Sequence, residues 1–166
     1  MPLTLLQGDI TKAPVDAIVN AANSRLAPGG GVCGAIFSAA GYDLLERACR
    51  VAGGCETGRS VITPGFSLPA IFIIHAVGPI WQGGNRNEAQ LLGSCYTTAL
   101  TLAWENHCRS IAFPLISSGI YGYPKKEARQ IALSTIRSFL KEREMEVFLI
   151  LFDRETFALG NSLMEL

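Results

Sequence analysis

The strongest constraint on the fold of this chain is the regular alternation of short apolar segments with longer segments of helical periodicity. Six apolar segments have the length and composition of strands: Leu3–Gln7, Val15–Val19, Ser60–Thr63, Ile71–Val77, Ser110–Ile116 and Glu146–Asp153. Five other segments predict helices: Gly31–Gly41, Tyr42–Ala52, Asn87–Asn106, Pro124–Lys141 and Arg154–Leu166. Because helical segments alternate with strands, we expect an α/β domain in which helices cover a central sheet.

Length and composition predict a single domain over residues 1–166. A chain of 166 residues can bury a substantial core, and 49% of this one is hydrophobic. Fourteen basic residues balance fourteen acidic ones, so the net charge gives no indication of nucleic acid as a partner. No apolar run approaches the roughly 20 residues that cross a bilayer, and the N-terminal segment lacks the pattern of a signal peptide. We therefore expect no membrane partner.

Cysteine usage argues against two further kinds of structure. None of the five cysteines forms a CxxC pair with another. They are Cys33, Cys49, Cys55, Cys95 and Cys108. Only two histidines are available to complete a metal site. We expect no disulfide framework, no metal and no cofactor, and we predict a cytoplasmic, monomeric protein.

Two glycine-bearing loops follow predicted strands and are candidates for one ligand site. The first is "NSRLAPGGGVCGAI", Asn23–Ile36, and the second is "SSGIYGYP", Ser117–Pro124. In open α/β sheets, ligands bind outside the carboxyl ends of the strands, where such loops lie. Each loop can present consecutive backbone N–H groups, and the first leads onto a helix N-terminus. Neither loop has a cluster of basic residues, so we predict a diphosphate held by amides rather than by lysines.

Two residues beside these loops could recognise a nucleobase. Asp9 follows the first strand, where its carboxylate could accept a hydrogen bond from an exocyclic amine such as adenine N6. The same carboxylate could instead cap a turn before Thr11. Phe152, at the end of the last strand, could stack on a base or could be a core aromatic.

Further polar side chains could recognise the sugar. Asn20 and Asn23 offer amides to hydroxyl groups, although both could merely satisfy local backbone. Tyr121 offers a ring and a hydroxyl beside the second loop. His75 lies within the apolar segment "IFIIHAV", which favours a hydrogen-bonded core histidine over a catalytic base.

One competing motif fails on its context. Gly29, Gly31 and Gly34 match the dinucleotide fingerprint GxGxxG letter for letter. That fingerprint requires its glycines in a tight turn directly after a strand, and here a longer segment intervenes, with Pro28 immediately before them. A nicotinamide-dependent oxidoreductase is therefore disfavoured.

Taken together, the motifs resemble those of the macrodomain family, and especially the MacroD-type ADP-ribosyl-hydrolases of bacteria and eukaryotes. They are "GDIT", "DAIVNAANS", "GGGV" followed after one residue by "GAI", "GRSVITPGFSLPA", "IHAVGPIW" and "FPLISSGIYGYP", in the family's order. The resemblance covers nearly the whole chain. It implies a three-layer α/β/α sandwich around a mixed sheet, with ADP-ribose as the ligand.

The resemblance also implies a role for each candidate residue. Asp9 would hold the adenine amine, Ile10 would line that pocket, and Phe152 would stack on the base. Asn23 would address the distal ribose, with Asn20 shaping the pocket floor. The diphosphate and distal ribose would be enclosed by residues of both loops: Gly30, Gly31, Val32, Ser117, Ser118, Gly119, Ile120 and Tyr121.

The activity implied by the resemblance is hydrolysis at the distal ribose. MacroD-type members release mono-ADP-ribose from acidic side chains of proteins and deacetylate O-acetyl-ADP-ribose, and Asn23, Tyr121 and the residue at position 33 would serve catalysis. Many members carry aspartate directly after "GGGV", whereas this chain has Cys33. A neutral thiol is a poor general base, so we expect slower hydrolysis.

Cys33 leaves two alternatives open. A helix N-terminus could lower the pKa of the thiol and produce a nucleophile or redox sensor, or the residue could be a packing substitute. The alternative to an enzyme is a module that reads ADP-ribose without turnover.

Overall fold

The computed structural model describes residues 2–151. Six strands form one sheet: β1 (Leu3–Gln7), β2 (Ala17–Ala22), β3 (Ser60–Pro64), β4 (Phe72–Val77), β5 (Ser110–Phe113) and β6 (Glu146–Leu151). Four α-helices surround it: α1 (Gly31–Ala40), α2 (Tyr42–Ala52), α3 (Glu88–Glu105) and α4 (Lys125–Leu140). A single 3₁₀ turn, Ile10–Lys12, follows β1.

The sheet is mixed, with strand order β1-β6-β5-β2-β4-β3. All neighbouring strands are parallel except β3, which pairs antiparallel with β4 at one edge. Apolar residues of α3 and α4 pack on one face of the sheet, and those of α1 and α2 pack on the other. The predicted three-layer α/β/α sandwich is confirmed. Since the parallel strands point the same way, the loops that follow them meet at one edge of the sheet.

The boundaries of two strands differ from the sequence prediction. Strand β2 begins at Ala17 rather than Val15, and it runs through Asn20 to Ala22 because β4 pairs with it as far as Val77. Strand β5 ends at Phe113 rather than Ile116. The next residue, Pro114, has no backbone N–H to donate to a neighbouring strand.

The remaining predicted elements agree with the structure to within about two residues at each end, as expected for assignments of this kind. Phe152 and the predicted closing helix Arg154–Leu166 lie outside the described residues.

Candidate ligand-binding site

A cavity of about 550 Å³ lies at the carboxyl edge of the sheet. Its floor and walls come from the ends of several parallel strands and the residues that follow them. Gly8 follows β1, Gly78 follows β4, Pro114 follows β5, and Leu151 ends β6. Both glycine-bearing loops line this cavity, so the fold brings the two candidate loops to one site.

In the structure the first loop ends at Gly30, the N-cap of α1, and it is held mainly by its own residues, with one hydrogen bond from the N–H of Cys55 to the carbonyl of Ser24. The side-chain amide of Asn23 donates to the carbonyl of Ala27 at 2.9 Å, and its oxygen accepts from the N–H of Ala27 at 3.0 Å. A Cβ on Gly34 would lie 2.5 Å from the carbonyl oxygen of Gly29, so only glycine allows this close approach. Gly31 has φ +58, in the left-handed region that favours glycine.

The N-terminus of α1 opens towards this cavity without a side-chain cap. Gly30 occupies the N-cap position; its carbonyl accepts from the N–H of Gly34, but it has no side chain to cap the first N–H groups. The first N–H groups of a helix have no partner within the helix, and the helix dipole places partial positive charge there. Gly30, Gly31, Val32 and Cys33 all line the cavity. This end of α1 is therefore suited to bind an anionic group.

The second loop, Ser117–Pro124, turns sharply at its first residue. Ser117 has φ +67, an uncommon conformation for a residue with a side chain. The N–H of Tyr123 donates to the carbonyl of Ser117 at 2.9 Å, and that of Gly122 donates to the carbonyl of Gly119 at 3.0 Å. The Ser117 hydroxyl is buried and has no hydrogen-bond partner among the described residues. Such strain and unpaired polarity are typical of functional loops.

A distant segment supports the second loop from below. The segment 78–87 joins β4 to α3, and the N–H of Trp81 donates to the carbonyl of Tyr121 at 2.9 Å. The ring of Trp81 also packs against that of Tyr123, with centroids 4.7 Å apart. A Cβ on Gly78 would lie 2.2 Å from the Ser117 hydroxyl oxygen. The second loop thus rests directly on this segment, which we call the support segment.

Glu88, the first residue of α3, fixes the support segment. Its carboxylate is 1% exposed and accepts backbone N–H groups of Gln82 at 2.8 Å, Gly84 at 3.0 Å and Arg86 at 2.6 Å. Burial raises the pKa of this carboxyl, but the backbone hydrogen bonds outweigh it and lower the pKa to about 2. Sequence reasoning did not identify Glu88, because its partners are backbone groups of an irregular segment.

Most of the residues selected from the sequence line the cavity. They are Asp9, Ile10, Asn23, Gly30, Gly31, Val32, Cys33, Ser117, Ser118, Gly119, Ile120 and Tyr121. Asn20 does not: it is 1% exposed and lies behind Cys33, with its amide nitrogen 3.7 Å from the thiol sulfur. Contrary to what the resemblance implied, Asn20 therefore does not form part of the pocket floor but lies beneath it. Phe152 lies outside the described residues.

Asp9 caps a turn, one of the two interpretations that the sequence left open. One oxygen, Oδ1, accepts from the N–H of Thr11 at 3.0 Å and from its hydroxyl at 2.7 Å, which caps the 3₁₀ turn. These two hydrogen bonds lower the pKa of the Asp9 carboxyl, so it is a carboxylate at neutral pH. The residue is exposed and lines the cavity, where the carboxylate can accept a further donor.

Cys33 is a buried thiol at the edge of the cavity, 7% exposed. Burial raises its pKa, and hydrogen bonds from Asn20 and from the backbone of Gly29 only partly oppose this effect. The net shift is upward, so the expectation of a thiol with a lowered pKa at this helix N-terminus is wrong. Desolvation dominates, and Cys33 is a neutral thiol at neutral pH.

His75 is a core residue, as the sequence suggested. It is fully buried on β4, and burial lowers its pKa to about 4, so the ring is neutral. Its Nδ1 lies 3.0 Å from the amide nitrogen of Asn20, and its Nε2 lies 2.9 Å from the Thr63 hydroxyl.

Lys125 also lines the cavity, and sequence reasoning missed it. It is the first residue of α4, immediately after the second loop. Among the described lining residues it is the single Lys or Arg. The available signal was its position directly after Pro124, at a helix N-terminus that leaves the loop.

The family model that matches this chain describes the "Macro domain", and the match spans residues 19–132. The chain belongs to the macrodomain family. The resemblance inferred from the sequence motifs is confirmed. A macro domain-containing protein of Chlorobaculum tepidum is 56% identical over 153 residues, covering 90% of this chain and 88% of that protein. The O-acetyl-ADP-ribose deacetylase of Salmonella newport is 50% identical over 160 residues, and the match covers 93% of this chain and 89% of that protein.

Solved structures agree with this macrodomain in fold. The Oceanobacillus iheyensis macrodomain with ADP has a TM-score of 0.92 and 43% identity, and the match covers 98% of this chain and 90% of that one. The Trypanosoma brucei macrodomain in complex with ADP-ribose has a TM-score of 0.90 and 38% identity, and the match covers 98% of this chain and 68% of that one.

Two kinds of feature are absent from the described part of the macrodomain. Within residues 2–151, no three His, Cys, Asp or Glu side chains are grouped so that they could hold a metal ion. Within the same residues, no helix has the length and apolar character to cross a membrane.

Proposed function

We propose that this macrodomain binds ADP-ribose and hydrolyses its esters, releasing mono-ADP-ribose from acidic side chains of proteins and acetate from O-acetyl-ADP-ribose. The observation that carries the proposal is the cavity between the uncapped N-terminus of α1 and the second loop. A diphosphate there would receive backbone N–H groups from two sides without a cluster of cations. The ADP and ADP-ribose complexes of its structural relatives support this choice of ligand.

The cavity residues suggest one orientation of the ligand. The Asp9 carboxylate and Ile10 would take the adenine end, next to the end of β1. The diphosphate would lie along Gly30–Val32 and the second loop. The distal ribose would then lie near Asn23 and Cys33, with Tyr121 beside it.

Hydrolysis needs a water molecule placed against the ester. Water attacks, the ester C–O bond breaks, and the products are the free carboxylic acid and the free ribose hydroxyl. Cys33 is neutral and cannot take the proton as a carboxylate would. Orientation of the water then falls to the loop amides and the ligand's own phosphates, and removal of one general base costs about 10²–10⁴-fold in rate.

Release of ADP-ribose from a glutamate-modified protein tests the proposal. We expect the wild-type chain to turn over slowly, Cys33→Asp to turn over at least about tenfold faster, and Cys33→Ala to resemble wild type. Loss of all activity in Cys33→Ala would contradict the view of Cys33 as a bystander and favour a thiol nucleophile.

The second candidate function is an ADP-ribose reader without turnover, and the neutral thiol at position 33 favours it. Calorimetric titration with ADP-ribose, alongside the hydrolysis assay, separates the two candidates. Tight binding with no turnover in either the wild-type chain or Cys33→Asp would establish the reader. Binding of NAD in preference to ADP-ribose would contradict both.

The likeness to the Salmonella deacetylase supports including O-acetyl-ADP-ribose among the substrates. All five cysteines are free thiols, which fits the reducing cytoplasm where we place this protein.

A further inference from the structure

A row of polar side chains crosses the apolar core between the sheet and the α1–α2 layer. Asn20 on β2 lies directly opposite His75 on β4 in the strand register. Thr63 on the edge strand β3 pairs with Ile73 and reaches His75 diagonally through its hydroxyl. All three are buried among the aliphatic residues of that layer. Buried polar groups are costly unless they are hydrogen-bonded, so the direction of each hydrogen bond in this row can be worked out.

The row has one arrangement that satisfies nearly every donor. If the amide nitrogen of Asn20 donates to Nδ1 of His75, then the neutral ring carries its proton on Nε2. That proton is donated to the Thr63 hydroxyl at 2.9 Å, and the hydroxyl donates to the carbonyl of Pro64 at 3.3 Å. The cost is one unpaired acceptor, the amide oxygen of Asn20.

The opposite orientation of the amide is worse. Turning the Asn20 side chain over would leave its two N–H groups where the oxygen now has no partner among the described residues. The oxygen would then require the ring proton on Nδ1, so the Thr63 hydroxyl would have to donate to Nε2 and would lose the Pro64 carbonyl. Buried N–H groups without acceptors are also rarer in folded proteins than carbonyl oxygens with unused lone pairs. His75 and Thr63 therefore select the orientation in which the Asn20 amide nitrogen faces position 33.

The orientation of the Asn20 amide also affects the side chain at position 33, at the edge of the cavity. The second N–H of Asn20 points to the Sγ of Cys33 at 3.7 Å, so the side chain at position 33 is met by a donor from below. A thiol is a weak acceptor, whereas a carboxylate is a strong one. The thiol also lies 3.8 Å from the carbonyl of Ala27, the same carbonyl that accepts from Asn23.

We propose that Asn20, oriented by His75 and Thr63, is a positioning residue that holds a hydrogen-bond acceptor at position 33 towards the ligand cavity. The inference deepens the proposed function and rests on it only for its effect on catalysis. It gives a function to the polar row of Asn20, His75 and Thr63, none of which lines the ligand cavity. It also implies that the chain retains the support for a carboxylate at the position where it now has cysteine.

The test measures the carboxyl group introduced by Cys33→Asp, by carbon-13 NMR titration of aspartate-labelled protein. The native sequence has four aspartates, so the added resonance is readily assigned, and Asp9, Asp16 and Asp43 serve as internal references. Other ionisable groups near position 33 are His75 and Cys49 beneath it, with Asp9 and Lys125 around the cavity. Adding Asn20→Leu should raise the pKa of the new carboxyl by about one pH unit or more, the usual effect of losing a hydrogen bond to a charge.

A second variant tests the row itself and covers the case in which Asn20→Leu does not fold. Thr63→Val leaves Asn20 in place but removes the oxygen acceptor for Nε2 of His75, so that among the described residues only the weakly accepting sulfur of Cys49, at 3.9 Å, still faces this nitrogen. The ring then favours the proton on Nδ1, which competes with the Asn20 donor, so the pKa of the new carboxyl should rise in the same direction by a smaller amount. Ser60→Ala is the matched control, because the Ser60 side chain lies on the opposite face of β3, where its hydroxyl is 2.9 Å from that of Thr98 on α3.

The outcomes separate this inference from the proposed function. An unchanged or lowered carboxyl pKa in both Asn20→Leu and Thr63→Val would overturn the inference, whatever the activity. If the Cys33→Asp protein hydrolyses the ester, the acid limb of its kcat profile should move up with the carboxyl pKa. ADP-ribose affinity should stay within about threefold, since Asn20 does not line the cavity. Absence of hydrolysis in every variant, with the pKa rise present, would contradict the proposed function alone.

Discussion

The first loop is held mainly by its own neighbours in the sequence, with one hydrogen bond from the distant Cys55, whereas the second loop packs against a segment far away in the chain. Asn23 bonds both backbone groups of Ala27 within the first loop. The second loop instead rests on the support segment through Trp81 and Gly78, and that segment is fixed by Glu88. Two walls of one cavity thus depend on contacts of very different sequence separation.

This difference predicts how far the effects of a substitution in each region should extend. A change in the first loop alters contacts that the loop makes with itself and with α1, so its effects should stay local. A change in the support segment removes a platform and should disturb the second loop without touching any residue that lines the cavity near the first. Affinity for ADP-ribose and the free energy of unfolding, measured together on the same variants, distinguish the two cases.

The largest effect is expected at Gly78, where the support segment meets the second loop. In Gly78→Ala the new Cβ would lie 2.2 Å from the Ser117 hydroxyl oxygen and 2.6 Å from Cγ2 of Ile116, so the loop must shift. We expect a loss of about 1–3 kcal/mol in the free energy of unfolding, as for other overpacked sites, and at least about tenfold weaker ADP-ribose binding.

Gly119→Ala is the matched control for this change. It lies in the second loop itself, but a Cβ there meets no atom within 4 Å. Chemical denaturation and calorimetry should show little change in stability. Equal losses in both glycine variants would indicate that loop flexibility, rather than the contact with the support segment, decides binding.

The next effect is expected at Glu88. Glu88→Gln replaces one carboxylate oxygen by an amide nitrogen, which places a donor against backbone N–H donors of the support segment. We expect a melting temperature lower by several degrees and weaker ADP-ribose binding, because the second loop loses its fixed platform. Glu105→Gln removes a charge from the exposed far end of the same helix and should leave both quantities unchanged.

The same carboxylate predicts a pH dependence. Its pKa is about 2 in the folded protein, below the ordinary value of 4.5, so the folded state favours the charged form. The stabilisation is fully present above about pH 4.5 and is lost as the pH falls towards about 2. Melting temperatures of the wild type and Glu88→Gln should therefore converge over that acidic range. A constant difference down to the lowest pH would contradict the assignment.

The smallest effect is expected at the place where the two loops approach each other. Ile120 is 88% exposed, and its Cδ1 would lie 3.8 Å from a Cβ on Gly30 of the first loop. An exposed isoleucine beside the cavity can cover a bound ligand. Ile120→Ala should weaken ADP-ribose binding about fivefold, since roughly one methylene equivalent of burial is lost, and leave stability unchanged. Destabilisation without a change in affinity would place this side chain in the fold instead.

Much of the fold and of the candidate site followed from patterns that are local in the sequence. Helix α2 has the bounds that its periodicity predicted, Tyr42–Ala52, and both loops lie at the carboxyl ends of strands. The extension of β2 through Asn20 could not be read in this way, because pairing with β4 decides it. The support that Glu88 gives to the second loop could not be predicted from the sequence for a related reason. The partners of Glu88 are backbone groups, which carry no sequence signal.

The sequence by itself determined the alternation of strands and helices, the family, and the two loops that flank the cavity, since each depends on residues close together in the chain. Only the tertiary structure decided what surrounds Cys33. Burial raises the pKa of its thiol against the local influence of a helix N-terminus. The donor beneath it comes from Asn20, whose orientation is set by His75 on the neighbouring strand. Desolvation and cross-strand hydrogen bonds exist only once the sheet has formed, so no local pattern could have predicted them.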